Sequence, residues 1–411
     1  MAGASAMVLL LSSCAFAENT GVAGGDPNKL TFWLSGDTAQ GGGFAKMAAE
    51  YTKETGVEVE VVDIPYDDLV TKMRNAAMAG ELPALARVPG IDPIWSGALM
   101  DLGGVAKDHQ IKKDLLAANE KGVVNALPTD LTAVGLFVNK SLFKKAHVDY
   151  PRDSGGWTWD QFVAAVKKVQ KRTDAKYGMV TDASSHRLRS FMYQFGGNGF
   201  REGRDGEFKG DAASVKALKR FKELNDGSFS PKSVWLSNDD PNAMFKSGRV
   251  VAYYSGVWQI ADFAKNIKNF DWDSALMPHQ PVRTTNLGTN YLVGFDGPAA
   301  KKSERFVNWL YTKKNYRKLC ETSGFLPVED GVQVRYAARQ RDFDLYNRII
   351  DEAGPLGPAQ IKDSLRQAYA GHVTEGDPLH DETVKYLGGS QSLDATVGAI
   401  EKQLNEQLGD G

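Results

Sequence analysis

Cysteine is nearly absent from these 411 residues: only Cys14 and Cys320 occur, and their positions suit unrelated roles rather than a pair. Histidine is scarce as well, with six scattered positions. No metal-spaced His/Glu set, nucleophile elbow or phosphate-cradling loop occurs, which leaves little material for catalysis. A glycoside hydrolase stays open on this evidence, because it needs only a pair of carboxylates at a set separation. Neither sign of charge dominates: 49 basic and 51 acidic residues are interspersed, for a formal net charge of −2. A nucleic-acid partner is thereby set aside, since no electrostatic footprint for a phosphate backbone is present. The apolar run Ala6 to Ser13 is far short of the roughly 20 residues that span a bilayer, so it reads as a processed signal rather than a membrane helix. No repeat with a period of about 20 to 50 residues is found, which argues against solenoids and propellers.

What is present describes a globular protein, 42% apolar and long enough for two cores. Leu30 to Leu34 is a short apolar run, and Phe44, Met47, Ala48 and Tyr51 follow at helical spacing. Gly56 caps that helix, Val57 to Val62 alternates like a strand, and Tyr66 to Gly80 is helical again. The order β-α-β-α predicts an α/β fold with a parallel sheet between helices. Ligands of such sheets sit beyond the carboxyl ends of the strands, which directs attention to the loops 35–43, 63–66 and 88–95. The run Leu131 to Asn139 is expected to carry the chain out of the first unit, and a helix starts at Lys140. Thr158 and Gln161 have the spacing of a capping box. Cys320 lies on a helical pattern below Phe306, Trp309 and Leu310, where a lone cysteine is a small buried hydrophobe.

The segment Leu11-Ser12-Ser13-Cys14 resembles the lipobox of bacterial lipoproteins, with Ser13 where Gly or Ala is usual. The resemblance makes Cys14 the lipid-modified residue, and the Gly-, Asn- and Asp-rich stretch 18–28 suits a flexible tether. Four further segments resemble the extracellular solute-binding proteins of bacterial carbohydrate ABC transporters, in the group of maltose-binding protein. They are Leu30 to Trp33 with the helix ending Gly80-Glu81-Leu82-Pro83; Trp157-Thr158-Trp159-Asp160-Gln161-Phe162; Met244 to Ala252 followed by Ser255-Gly256-Val257-Trp258; and Gly324-Phe325-Leu326-Pro327. Ala84 departs from the family, which often has Asp after the first Pro.

The resemblance implies a two-lobed periplasmic-binding-protein-like fold with a hinge between lobes. Residues 1–28 would be signal and tether, 29–139 with about 276–340 one lobe, and 140–275 with about 341–411 the other. It also implies a monomer on the outer face of the membrane that captures a sugar without cofactor or catalysis and hands it to ABC permease subunits; the eight tryptophans point to more than one stacked ring, hence to an oligosaccharide. A sugar needs aromatic plates for its C–H face and polar groups for its hydroxyls. Trp258, after Gly256, matches the family's stacking tryptophan. Trp235 lies in an irregular stretch, Trp33 and Asp37 flank the first loop, and Tyr66, Asp92 and Trp95 occupy later ones. Asp130 precedes the crossover, and Asn290 precedes a strand re-entering the first lobe. His186, with Arg187 and Arg189, is either a hydroxyl partner or part of a solvated basic face. Tyr253-Tyr254 leaves a ferric-ion binder open, although adjacent strand residues face opposite sides.

Overall fold

The computed structural model describes residues 29–38, 40–152, 154–372 and 376–409. Cys14 and the tether lie outside them. The strands are β1 (Lys29–Leu34), β2 (Glu58–Asp63), β3 (Leu85–Val88), β4 (Leu127–Pro128), β5 (Thr132–Asn139), β6 (Tyr177–Thr181), β7 (Val250–Gly256), β8 (Trp272–Ala275), β9 (Leu287–Gly288) and β10 (Tyr291–Gly294). They form two sheets, ordered β2-β1-β3-β10-β4 and β6-β7-β5-β8, with β9 beside β5. Helices cover both sheets, giving an α/β fold of two lobes. No helix among the described residues is long and apolar enough to cross a membrane.

The first sheet follows the expected β-α-β order, with β1 parallel to β2 and β3. Leu30, Phe32 and Leu34 alternate into its core, and the helix Gly43–Thr55 lays Phe44, Met47, Ala48 and Tyr51 against it. Gly56 ends that helix in the left-handed conformation at φ 74°, its N–H bonded to the Thr52 carbonyl. In the second sheet the helix Trp159–Arg172 starts with the anticipated capping box: Thr158 Oγ1 accepts from the Gln161 N–H, and Gln161 Oε1 from the Thr158 N–H. Cys320 is fully buried, as its helical setting implied.

One assignment changes. The run 131–139, read as the way out of the first unit, supplies β5 from Thr132 onward, an inner strand of the second sheet. It pairs antiparallel with both β7 and β8, and every residue from Ala133 to Asn139 is buried. A continuous apolar run suits a strand covered on both faces. The chain therefore crosses between the sheets at 129–131, returns through β9, and crosses again after Gly324. These crossings lie side by side, because Leu131 bridges Leu326, and Thr132 and Ala133 pair with Gly288 and Leu287. Two stacked tyrosines pin them: Tyr311 and Tyr316 donate to the carbonyls of Pro128 and Thr129 at 2.9 and 2.8 Å, and Val328 N–H donates to the Tyr316 hydroxyl.

Glu329 stands on the third crossing. It is 1% exposed, and neither carboxylate oxygen has a hydrogen-bond partner. Burial pushes its carboxyl up from 4.5 to about 8, against the pull of Lys313. The native state therefore binds more protons than the unfolded chain between those values, so this residue lowers stability as pH rises through that window. Glu329→Gln should raise the melting temperature at pH 8, with the gain closing toward pH 4.5. Thermal denaturation across pH checks this, and a gain independent of pH would contradict it.

Candidate ligand-binding cleft

A cleft of about 460 Å³ opens between the two sheets, beside the crossings. The first lobe contributes Ser35 and Gly36 after β1, Tyr66 at the start of the helix after β2, and Pro89 after β3. These are the carboxyl ends at which an α/β sheet presents its loops. The second lobe contributes Ser184, His186 and Arg187 after β6 and Trp258 after β7. Gln40, Leu69, Arg87 and Val134 line it too, and Asp130, Thr132, Asn286, Gly288, Thr289 and Asn290, on and near the crossings, complete the lining.

The charged group on the first-lobe side is a buried ion pair. Arg87 Nη2 meets Asp130 Oδ1 at 2.7 Å, with the side chains 4% and 3% exposed. Arg87 Nε donates to Thr129 Oγ1 and Nη1 to the Ser35 carbonyl, while its guanidinium lies near the rings of Phe44 and Phe325. Such pairing and hydrogen bonding is what makes a buried charge tolerable. Asp130 thus reaches the cleft already fixed in orientation.

On the second-lobe wall, Trp258 lies over Gly256, where an added Cβ would fall 2.0 Å from the indole. Only glycine lets the ring sit there. Arg187 stands with its guanidinium carbon 4.5 Å from the indole centroid, and it is ion-paired to Asp182. His186 accepts at Nδ1 from Asn286 Nδ2 at 3.1 Å. Crowding by the cleft walls, then Arg189 and Arg187, pushes its imidazole down to about 4. The residue is exposed to water, which moderates that shift without reversing it, so His186 is neutral at pH 7. Asn286 Oδ1 is buried and unpartnered, an acceptor suited to a ligand hydroxyl. With Arg87, Asp130 and Arg187 all ion-paired and the rest of the lining neutral, from amide and hydroxyl to aromatic and aliphatic, the cleft suits a polar, uncharged molecule with an apolar face.

The family of bacterial extracellular solute-binding proteins matches this chain over residues 46–339. The chain belongs to that family. Among its relatives is the lactose-binding protein of Rhizobium radiobacter, 26% identical over 381 residues, which cover 87% of this chain and 78% of that protein. The fold is that of the GacH receptor of Streptomyces glaucescens, solved unliganded and with acarbose. That structure is 21% identical with a TM-score of 0.73, covering 93% of this chain and 98% of the receptor. An ABC transporter solute-binding protein of Thermotoga lettingae bound to α-D-tagatose is 22% identical with a TM-score of 0.72, covering 93% and 100%.

In this solute-binding protein the cleft brings together Trp258, Tyr66, Asp130, His186 and Asn290, with Gly256 behind the tryptophan. Five other expected ligands do not line it. Asp37 is 3% exposed and caps the helix Gly43–Thr55, its two oxygens accepting from the N–H groups of Phe44 and Ala45. Asp92 caps the helix Pro93–Ser96 and pairs with Arg74 at 2.5 Å. Trp33 lies under the Lys72 ammonium, beside the first core. Trp235, 3% exposed, packs in the second core between Phe221 and His380, and Trp95 packs on Phe295. Arg187 was grouped with a solvated basic face, but its side chain is only 12% exposed.

Sequence reasoning missed Arg87, Gln40 and Asn286. A signal existed for Arg87, a lone charge inside the otherwise apolar strand LARV. The tyrosine pair gives the ferric reading no support. Neither hydroxyl lines the cleft: Tyr253 bonds to Asp182, and Tyr254 to Ser190 in the second core. Burial lifts both phenols above their ordinary range.

Proposed function

We propose that this protein captures a carbohydrate between its lobes, closes over it by rigid-body movement about the crossings, and delivers it intact to an ABC permease while catalysing nothing itself. The observation that carries the reading is Trp258, a partly exposed indole seated on Gly256 in a cleft whose charges are already paired. The lobes divide at 129–131, around β9 and after Gly324. Anchoring through a lipid on Cys14, action as a monomer, and ATP hydrolysis by a separate subunit complete the proposal.

An oligosaccharide is favoured over a single ring. The tryptophan count no longer argues for it, because Trp258 alone of the eight lines the cleft. Two other features do. Tyr66 supplies a second aromatic face from the opposite lobe, and Pro89, His186, Gly288 and Thr289 also border an adjoining cavity of about 100 Å³. Relatives that bind lactose and galactooligosaccharide are consistent with it.

A thermal-shift panel of mono- and oligosaccharides, with ferric ion and amino acids as controls, tests the proposal. Ligand at 100 times its dissociation constant stabilises the native state by about 2.7 kcal/mol, so a saccharide should raise the melting temperature by several degrees and the controls should not. A shift with ferric ion or an amino acid alone would overturn the reading.

A further inference from the structure

We propose that Asp182 and Arg187 are positioning residues that hold the Trp258 indole in its ligand-binding orientation, so that affinity depends on a carboxylate that touches no ligand. The ligand arm of this inference rests on the carbohydrate reading above; the orientation arm does not.

Trp258 follows β7 in a turn and is only partly buried, so the core alone does not fix its ring. Gly256 gives it room without holding it. Arg187 meets the ring at cation–π distance, 4.5 Å from the centroid. A free arginine would be a poor support, because its long side chain has many rotamers. Here Nε donates to Asp182 Oδ2 at 2.9 Å, and Nη2 makes a still closer contact with the same oxygen. Asp182 is itself immobilised on β7: the Tyr253 hydroxyl donates to Oδ1 and Ser255 Oγ to Oδ2. Gln259 Nε2 then reaches both of those hydroxyl oxygens at 3.3 Å. Burial and the adjacent carboxylate keep Tyr253 protonated, so it stays a donor over the working pH range.

A connected brace therefore runs from β7 through Asp182 and Arg187 to Trp258, drawing on the loop after β6, the helix Ser185–Gln194 and the turn after β7. Without Arg187 the Asp182 carboxylate, 17% exposed, still accepts from the Tyr253 and Ser255 hydroxyls, so the charge left behind keeps hydrogen-bond partners. What an apolar replacement cannot supply is a directional, planar support for an aromatic plate. Binding sites whose side chains are locked in advance lose less freedom on binding.

The test uses Arg187→Met, Arg187→Lys and Asp182→Asn in the full chain. Acrylamide quenching of Trp258, taken as the difference between each protein and its Trp258→Phe counterpart, reports ring exposure without any sugar. Calorimetric titration with lactose and with maltotriose reports affinity. Arg187→Met should fold with a cooperative transition, show Trp258 more open to quencher, and bind the accepted sugar about tenfold more weakly. Arg187→Lys should recover part of both effects. Asp182→Asn should match Arg187→Met; if it fails to fold because Arg187 loses its partner, Arg187→Met carries the test. Unchanged quenching in Arg187→Met would overturn the inference, and so would unchanged or tighter binding. If neither sugar binds the wild-type chain, the probe sugars are wrong, and the quenching comparison still decides the positioning role.

Discussion

Trp258→Ala should lose saccharide affinity by about 30-fold to several hundredfold while leaving the melting temperature of the free protein nearly unchanged. The expectation follows from the ring's setting. A large aromatic that anchors a ligand in a desolvated site is typically worth about 2 to 4 kcal/mol, and each 1.4 kcal/mol is about tenfold in affinity. The indole is partly exposed and borders the cleft rather than filling a core, so its removal leaves no large internal cavity. Gly256→Ala should imitate the loss without touching the tryptophan, because the added methyl would fall 2.0 Å from the ring and force it to move. Calorimetric titration checks both variants against wild type. Affinity retained in Trp258→Ala would remove this residue from the site.

The second large effect is on stability. Asp130→Ala leaves the Arg87 guanidinium buried at 4% exposure without its carboxylate. Breaking a buried pair from one side costs about 3 to 5 kcal/mol, most of it the penalty of the stranded charge. The double variant Arg87→Met with Asp130→Ala removes that charge and should recover much of the loss, although saccharide binding should not return with it. Urea denaturation of the three proteins checks the order: wild type most stable, the double variant next, Asp130→Ala least. A single variant as stable as wild type would show that the pair is not the buried unit described here.

How legible the molecule was depends on how far apart the interacting residues lie. Local features could be read: helical spacing from Phe44 to Tyr51, the glycine that ends that helix, and the reciprocal capping bonds of Thr158 and Gln161. The turn Gly256-Val257-Trp258 marked a cleft aromatic for the same reason, since the room for the ring is two residues away. Residue types in post-strand loops were a weaker guide. Asp37 and Asp92 sit where ligand partners belong, yet nearby backbone N–H groups engage both as helix caps. Nothing in an irregular stretch around Trp235 showed that Phe221 and His380 enclose it. The partners that define the site, Arg87 with Asp130 and Arg187 with Trp258, meet only through the sheets, and a residue string carries no such distances. The strand β5 was misassigned for a related reason. Its apolar run declares burial on both faces but not which sheet supplies the neighbours.

The central claim, an intact carbohydrate held between the lobes, is tested most directly by titrating the protein with the saccharide that gives the largest thermal shift and then chromatographing the released ligand. The account predicts saturable heat with one site per chain, loss of that heat in Trp258→Ala, and recovery of the sugar at its original length. Heat that survives in Trp258→Ala, or a sugar recovered in shorter pieces, would contradict it.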